Sequence, residues 1–366
     1  QPMATASIGQ VHRAVLGDGR LVVIKVIRHD IERTMRQDIE VLAGLAQLAE
    51  RVETLAVWRP REMVRQFAPI LQREMDFSRE RQNLEHFAEM LKGLKSSVVI
   101  PRPVSELCTK RVLVMEELVG QSLAMFLRDA ERGSAKQASS QSETTWADNL
   151  TPSNPTTAAT IADTSASTSP RENRQATKQR LAETIARVYM TMLFDEALFH
   201  ADPHPGNLIL MEDGRLGILD FGMIGRIDEN LRETIEEMLV AISTGDQNRL
   251  TRLIKRIGDP PPTLDESALA IDVAEYLGTY GKQSLGEFDL TGALNELSEI
   301  LHRHAIKLPN QSALLLKMLI SLEGTLRELG ARFDSLDVVR SFMRRSMARR
   351  LSPQRRIRQA RRIYLE

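Results

Sequence analysis

The hydrophobic pattern of the first 120 residues predicts a small sheet accompanied by helices. Two β-rich runs, VHRAVL and RLVVIKVI, flank the tight-turn signal GDG and predict a hairpin from Val11 to Ile27. Apolar residues then recur at helical spacing from Ile31 to Leu55. A second periodic stretch carries EMDFSRE in its middle, and the runs SVVIPRPV and RVLVMEEL predict two further strands.

The composition changes between Glu131 and Lys178, where Ser, Thr, Ala, Gln, Asn and Pro replace almost every large apolar residue. Such a segment has little apolar surface to bury, so it is expected to be a disordered insertion. Helical periodicity returns after it, and everything beyond Ile224 is expected to be helical. One face of the first returning helix carries Leu181, Ile185, Val188 and Met192.

The overall composition is that of a soluble globular chain long enough for two lobes, with 366 residues, 42% hydrophobic and 27% charged. The single cysteine, Cys108, excludes an internal disulfide and fits a reducing compartment. No apolar run approaches the roughly eighteen residues that span a bilayer, and no secretory signal opens the chain. The net charge is zero, but the charges are unevenly distributed: the segment from Arg344 to Arg362 has nine arginines and no acidic residue.

The densest polar motif is HADPHPGN, residues 200–207, which precedes a short strand, an Asp-Gly turn, a second strand and the tripeptide DFG. The predicted hairpin brings Asp220 back beside Asn207, and a carboxylate with an amide oxygen suits Mg²⁺. Asp202 precedes Asn207 by five residues, the spacing of the kinase catalytic loop. In that loop the Asp orients the nucleophile and the Asn holds metal. The combination predicts a phosphate-handling site.

A zinc site at His200 and His204 is the competing interpretation of the same motif. The two histidines are four residues apart, but Pro203 and Pro205 forbid a regular helix, and no third ligand is evident nearby. His200 is therefore expected to brace the loop.

A phosphate-handling site also needs a cation in the first lobe, and VVIKVI supplies Lys25 on a predicted strand. A lysine in an apolar strand requires a partner, for which the sequence offers Glu74 and Glu80.

The segment expected to cover the phosphates departs from the kinase pattern, because MATASIGQVH has the single glycine Gly9 where a kinase has three glycines.

Five motifs in this order, ATASIGQVH, VVIKVIRHDI, EMDFSRERQN, HADPHPGNL and LDFGMIGR, resemble the UbiB/ADCK family of atypical kinase-like proteins. The resemblance runs from Met3 to Arg226, apart from the insertion. It implies an α+β, protein-kinase-like bilobal fold with a small β-sheet N-lobe and a mostly helical C-lobe. It also implies Mg²⁺-dependent ATP binding and ATPase activity tied to ubiquinone or related isoprenoid-lipid metabolism.

The resemblance assigns catalytic roles to Lys25, Glu80 and Asp202, with Lys25 on the phosphates and Glu80 as its partner. Asn207 and Asp220 would hold Mg²⁺, and Glu74 and Asp76 would form a Glu-x-Asp motif near the metal. The nucleotide would also contact the alanine-rich loop, strand and hinge residues Ala4, Thr5, Ala6, Ser7, Ile8, Gly9, Val11, Met115, Glu116 and Leu118.

The expected organisation is an N-lobe at residues 1–119, a hinge and the start of the C-lobe at 120–130, the insertion at 131–178, a helical C-lobe at 179–340 and a basic helix at 341–366. Insertable apolar side chains are interspersed among the arginines of the basic helix, which favours an anionic membrane surface over nucleic acid as a partner. Quinone or isoprenoid lipids as further partners are what the family resemblance implies. The resemblance implies a cytoplasmic protein, peripheral to or anchored at the inner membrane.

Two alternatives keep the fold and change the function. Small-molecule kinases of the aminoglycoside and choline type share the catalytic-loop pattern but not SIGQVH or EMDF. A non-catalytic scaffold could bind ATP as a conformational ligand. A conventional protein kinase is disfavoured, because no APE motif follows DFG and the chain soon becomes helical.

Overall fold

The computed structural model describes residues 4–5, 9–52, 60–65, 68, 75–129, 170–281 and 290–330. Within these ranges the strands are β1 (Ala4–Thr5), β2 (Gly9–Val15), β3 (Leu21–Ile27), β4 (Val98–Val99), β5 (Val112–Glu116), β6 (Gly120–Ser122), β7 (Leu198–His200), β8 (Leu208–Met211), β9 (Leu216–Ile218) and β10 (Ile224–Arg226). The long helices are α1 (Ile31–Ala49), α2 (Phe77–Met90), α3 (Pro170–Met190), α4 (Glu229–Thr244), α5 (Gln247–Ile257), α6 (Glu266–Tyr280), α7 (Leu290–Arg303) and α8 (Asn310–Glu328).

The chain divides into two compact units. Unit 1 contains Gln1–Gly120, Leu198–Ala201 and Met211–Gly225, and unit 2 contains Gln121–Ala197, Asp202–Leu210 and Arg226–Glu366. Unit 1 therefore includes Leu198–Ala201 and Met211–Gly225, which lie within the residue range predicted for the helical C-lobe.

Unit 1 is built on an antiparallel sheet of order β1-β2-β3-β5. The predicted hairpin is confirmed: β2 and β3 pair in a register that places Val11 opposite Lys25. Its turn closes with a hydrogen bond of 2.9 Å from the Leu16 amide to the Arg20 carbonyl, and Gly19 takes the left-handed φ of 86°. The predicted strand in RVLVMEEL is also confirmed, as β5.

The predicted strand in SVVIPRPV is reduced to the two residues of β4, which pairs in parallel with β9. Pro101 and Pro103 follow shortly afterwards and have no N–H to donate, so the pairing of β4 with β9 does not continue.

One side of the sheet core consists of Val22, Val104 and Val114, with Cys108 packed against them. The partly buried Cys108 thiol lies 3.3 Å from the carbonyl oxygens of both Val104 and Val114, to which it can donate.

Helix α3 begins at Pro170, so residues 170–178 are helical. The sequence predicted that these residues belong to the disordered insertion, and that part of the prediction is wrong. The sequence there is polar, but Arg, Glu, Gln, Ala and Lys are good helix formers. They extend a helix whose later turns are held by the predicted apolar face, since Leu181, Ile185 and Val188 are buried. The arginine-rich end and residues 130–169 lie outside the described residues.

Unit 2 is mostly helical, and the chain predicted to be helical beyond Ile224 becomes so at Glu229, after the short strand β10. Helices α4 to α7 share one apolar core, which includes Leu250, Leu253, Leu269, Val273, Tyr276 and Ile300. Each of α4, α5 and α6 begins at an aspartate whose side chain accepts backbone N–H bonds of the first turn, namely Asp228, Asp246 and Asp265. Of the helices in the described ranges, none combines the length and apolar content that crossing a bilayer requires.

Candidate active site

Lys25 lies in the middle of β3, and its side chain is only 14% exposed. Its ammonium donates a hydrogen bond of 2.5 Å to Glu80 Oε1 and lies 3.6 Å from Asp220 Oδ1. Lys25 therefore pairs with Glu80, one of the two candidates that the sequence offers and the partner that the resemblance implies. Glu74 lies outside the described residues.

Helix α2 directs Glu80 toward the strand. The helix begins after Asp76, whose carboxylate caps it by accepting the Ser78 amide at 3.0 Å. The Phe77 amide donates to the Lys110 carbonyl at 2.9 Å, which fixes the first turn against the segment that leads into β5. Leu84 and Phe87 are fully buried on the same side of the helix, and Glu80 is buried with them.

Asp220 follows β9 and has a φ of 58°, in the left-handed region that non-glycine residues rarely occupy. The surrounding contacts hold it there. The fully buried His200 ring lies with Nε2 2.8 Å from the Asp220 carbonyl oxygen and 3.1 Å from that of Leu219. The Asn83 side-chain amide donates to the Phe221 carbonyl at 2.8 Å. The His200 ring thus contacts the backbone of the DFG segment, whereas the sequence predicted that it would brace the catalytic loop.

Phe221 is fully buried and anchors this segment in unit 1. Its ring contacts Phe87 of α2 at a centroid distance of 4.8 Å and meets the His200 ring edge-on at 5.0 Å. The same helix therefore supplies Glu80 to Lys25 and Phe87 to Phe221. Asn83 was missed by the sequence analysis, although it lies three residues after Glu80 on the same helical face.

The three charges of this cluster influence one another. Burial acts to lower the pKa of Lys25, but the Glu80 and Asp220 carboxylates outweigh it and raise that pKa. Burial acts to raise the pKa of Asp220, but the Lys25 ammonium and the Gly222 amide hold it below its ordinary value. The pKa of Glu80 is raised by its burial, despite the attraction of Lys25. Two carboxylates share one ammonium, and the half-exposed Asp220 carries the unbalanced negative charge.

The catalytic-loop residues Asp202 and Asn207 belong to unit 2 and contact each other there. The loop ends in a short 3₁₀ turn, Pro205–Asn207, in which the His204 side chain accepts the Gly206 amide. The buried Asn207 amide nitrogen donates to the Asp202 carbonyl at 3.1 Å and to Asp202 Oδ2 at 3.2 Å. The Asn207 oxygen is the remaining functional atom of the side chain and has the chemistry of a Mg²⁺ ligand.

The zinc interpretation of His200 and His204 is not supported. The His200 ring nitrogen contacts backbone carbonyls, and His204 Nδ1 accepts the Gly206 amide at 2.9 Å. Among the described residues there is no group of three or more His, Cys, Asp or Glu side chains arranged to hold a metal ion.

Each of the two units offers one side-chain oxygen of the kind that Mg²⁺ prefers. Asp220 provides an ionised, half-exposed carboxylate at the point where unit 1 carries excess negative charge. Asn207 provides an amide oxygen, and Mg²⁺ is commonly held by one or two protein oxygens with phosphates and water completing its shell. Asp76 was predicted to lie near the metal. In the structure its Oδ1 accepts the Ser78 amide and caps α2.

Helix α8 contacts the catalytic loop within unit 2, which no local sequence pattern predicted. Thr325 Oγ1 donates to the Pro203 carbonyl at 2.9 Å, and the Lys317 ammonium lies 3.9 Å from Asp202 Oδ1. The Gln311 side chain accepts the Arg226 amide at 2.8 Å.

Of the predicted nucleotide-contacting residues, Gly9, Val11, Lys25, Met115 and Glu116 lie on strands β2, β3 and β5 of unit 1. Gly9 closely approaches β3: a Cβ there would come within 2.8 Å of the Val26 carbonyl oxygen. Met115 is buried at the end of β5, and the Glu116 amide donates to the Arg102 carbonyl at 2.9 Å. Leu118 is half-buried. Ala4 and Thr5 form β1, whereas Ala6, Ser7 and Ile8 lie outside the described residues.

Comparison with known proteins identifies the family of this chain. The sequence model of the ABC1 atypical kinase-like domain matches residues 1–254, and that of the UbiB helical domain matches residues 273–334. The chain is 28% identical over 360 residues to a probable protein kinase UbiB of Xylella fastidiosa, covering 96% of this chain and 57% of the relative. It is 25% identical over 343 residues to an uncharacterized protein in the hydrogenase 1 5′ region of Clostridium pasteurianum, covering 94% of this chain and 56% of the relative.

A solved structure of Rv3197 from Mycobacterium tuberculosis, determined as a complex with erythromycin, has a TM-score of 0.54 and 21% identity. The alignment covers 90% of this chain and 73% of that one. The likeness concerns the fold alone, and with the family match it confirms the α+β kinase-like fold. The chain spans little more than half of the length of the two relatives above. Because the first model covers most of the sequence, this chain belongs to the ABC1 atypical kinase-like family, with a UbiB-type helical region.

Proposed function

We propose that this chain binds ATP with Mg²⁺ and transfers or hydrolyses the terminal phosphoryl group. The observation that supports this most strongly is the Lys25–Glu80–Asp220 cluster, with Nζ 2.5 Å from Glu80 and 3.6 Å from Asp220. A buried lysine held in its charged form between two carboxylates is poorly explained as a purely structural feature, since burying charges is expensive. It is well explained as a preorganised phosphate contact.

Each residue then has one role. Lys25 donates to the phosphate oxygens, and Glu80 holds its ammonium in place. Asp220 and Asn207 hold Mg²⁺, which when bound would neutralise phosphate charge. Asp202 orients the attacking hydroxyl or water, and its carboxylate is positioned by the Asn207 amide at 3.2 Å.

The remaining site residues are proposed to position the nucleotide. The segment from Ala4 to Gly9 covers the phosphates, and Val11 packs on the base or ribose from its place opposite Lys25. The backbone of Met115, Glu116 and Leu118 contacts the adenine. By the motif resemblance, Glu74 and Asp76 would act near the metal and influence the occupancy of the site.

The proposed substrate class is isoprenoid or quinone lipid at an anionic membrane surface, in support of ubiquinone or related lipid metabolism. The support for this is the motif resemblance, the name UbiB borne by relatives, and the nine arginines of the C-terminal segment. The protein would then be cytoplasmic and peripheral to, or anchored at, the inner membrane. Nucleic acid is not proposed as a partner.

The test is to incubate purified protein with γ-labelled ATP and Mg²⁺, and to follow free phosphate and labelled products together. Parallel arms contain anionic vesicles with an isoprenoid quinone precursor, choline and an aminoglycoside. Phosphate release stimulated by the vesicles supports the proposal. A labelled choline or aminoglycoside would replace it with a small-molecule kinase, and tight Mg²⁺ATP binding without any turnover would replace it with a scaffold.

A further inference from the structure

One face of α8 lies along the catalytic loop of unit 2. Lys317, Ser321 and Thr325 recur every four residues, so they share this face. The buried Thr325 hydroxyl donates to the Pro203 carbonyl at 2.9 Å and also lies 3.0 Å from the Ser321 carbonyl. Thr325 therefore fixes the helix against the loop. Two turns earlier, the Lys317 ammonium lies 3.9 Å from Asp202 Oδ1.

Within the catalytic loop itself, the basic side chain beside Asp202 is a histidine, because His204 Nε2 lies 3.5 Å from Asp202 Oδ2. Residues 200–207 read HADPHPGN and include neither Lys nor Arg. Phosphoryl transfer spreads negative charge over the transferred group, and its rate depends strongly on positive groups aimed at that charge. A positive group beside Asp202 would be close to the nucleophile that Asp202 is proposed to orient.

Lys317 has the exposure and length that this role requires. Its side chain is 54% exposed, and 3.9 Å is a loose separation for an ion pair. The ammonium can therefore turn from Asp202 toward an incoming phosphate on its flexible four-carbon stem. A half-exposed ion pair stabilises a fold by only about 0–1 kcal/mol, so stability alone is a weak reason for the arrangement.

We propose that Lys317 is a catalytic residue, the cation that α8 contributes to the transferred phosphoryl group at Asp202. This inference rests on the proposed function. It assigns the helical region a direct part in the reaction, in addition to packing under the loop.

The test compares Lys317→Met and Lys317→Arg with the wild type and with Lys307→Met, a change at an exposed lysine outside the site. ATP turnover is measured with the Kd of MgADP, with and without aluminium fluoride, which mimics the transferred phosphoryl group. Lys317→Met is expected to lower kcat about 10–100-fold and to weaken the aluminium fluoride complex similarly. The Kd of MgADP alone should change less than about threefold. Lys317→Arg should recover part of the loss, and Lys307→Met should match the wild type.

Unchanged kcat and unchanged aluminium fluoride binding in Lys317→Met, in a protein whose wild type turns over ATP, would overturn the role of Lys317 alone. Equal weakening of MgADP with and without aluminium fluoride would also overturn it, because it would indicate a general loss of structure. A wild type that binds no Mg²⁺-nucleotide would instead overturn the proposed function, and this inference with it.

Discussion

The Asn83 side-chain amide donates a hydrogen bond of 2.8 Å to the backbone carbonyl of Phe221, 138 residues further along the chain. The bond joins the helix that carries Glu80 to the segment that carries Asp220. Lys25 contacts both carboxylates, so the Asn83 bond closes a ring of contacts around one ammonium. The geometry of the cluster thus depends on a residue that carries no charge.

Replacing Asn83 with Ala should loosen this ring. The Phe221 carbonyl would lose its donor, and the free energy of unfolding should fall by about 1–2 kcal/mol. The affinity for Mg²⁺ATP should fall as well, because Asp220 would be held less firmly. Urea unfolding and nucleotide titration measure the two effects. Gln82→Ala, at an exposed position of the same helix, is the control and should change neither.

The Lys25–Glu80 pair should show strong coupling in unfolding experiments. Lys25→Met leaves the buried Glu80 carboxylate without its cation and should destabilise the fold by about 3–5 kcal/mol. The double variant Lys25→Met with Glu80→Gln removes both charges and should recover part of that loss. If the two single changes added up in the double variant, the pair would not interact in solution.

The hairpin and the position of Lys25 were predictable because their signals are local. The Asp-Gly turn and the alternating apolar runs determine β2 and β3 within seventeen residues, from Val11 to Ile27. Sequence spacing could not choose between Glu74 and Glu80, because that choice depends on where α2 begins. The Asp76 cap and the burial of Phe77 fix that point.

The contacts of α8 could not be predicted from local sequence. Thr325 bonds to Pro203 across 122 residues, and only tertiary packing brings them together.

The helical start at Pro170 was missed for a different reason. Low apolar content indicates that a segment cannot form its own core, but it does not prevent the segment from extending a helix that is buried further on.

Asp272 should make the stability of unit 2 depend on pH in the acid range. Some desolvation acts to raise its pKa, but His304 at 2.8 Å and Arg303 at 2.7 Å lower it below the ordinary value of 3.8. A carboxyl whose pKa is lowered in the folded state stabilises the fold above its unfolded pKa. That contribution is lost as the pH falls through the folded pKa.

Asp272→Asn should therefore be less stable than the wild type at pH 7, and the difference should shrink below about pH 4. Thermal unfolding from pH 7 to pH 2.5 measures this. Glu275→Gln, at an exposed position of the same helix, serves as the control. A constant difference across the whole range would show that the Asp272 charge is not responsible.

The arginine-rich end should bind anionic membranes. Basic residues near an anionic leaflet contribute about 1 kcal/mol each, so half of the nine arginines would give measurable binding. Co-sedimentation with vesicles rich in phosphatidylglycerol or cardiolipin should show binding that weakens with salt. Truncation after Asp337 should abolish it, and full binding by the truncated protein would assign the membrane contact to another part of the chain.

The most direct measurement is calorimetric titration of ATP with and without Mg²⁺, for the wild type, Asp220→Asn and the exposed neighbour control Glu212→Gln. Asp220 carries the unbalanced negative charge of the Lys25 cluster, so its neutralisation should remove the Mg²⁺-dependent part of the binding. The wild type and Glu212→Gln should bind Mg²⁺ATP equally, and Asp220→Asn should bind it at least about tenfold more weakly. Equal Mg²⁺ATP affinity in all three proteins, or no nucleotide binding by the wild type, would contradict the assignment of this cluster as a Mg²⁺ATP site.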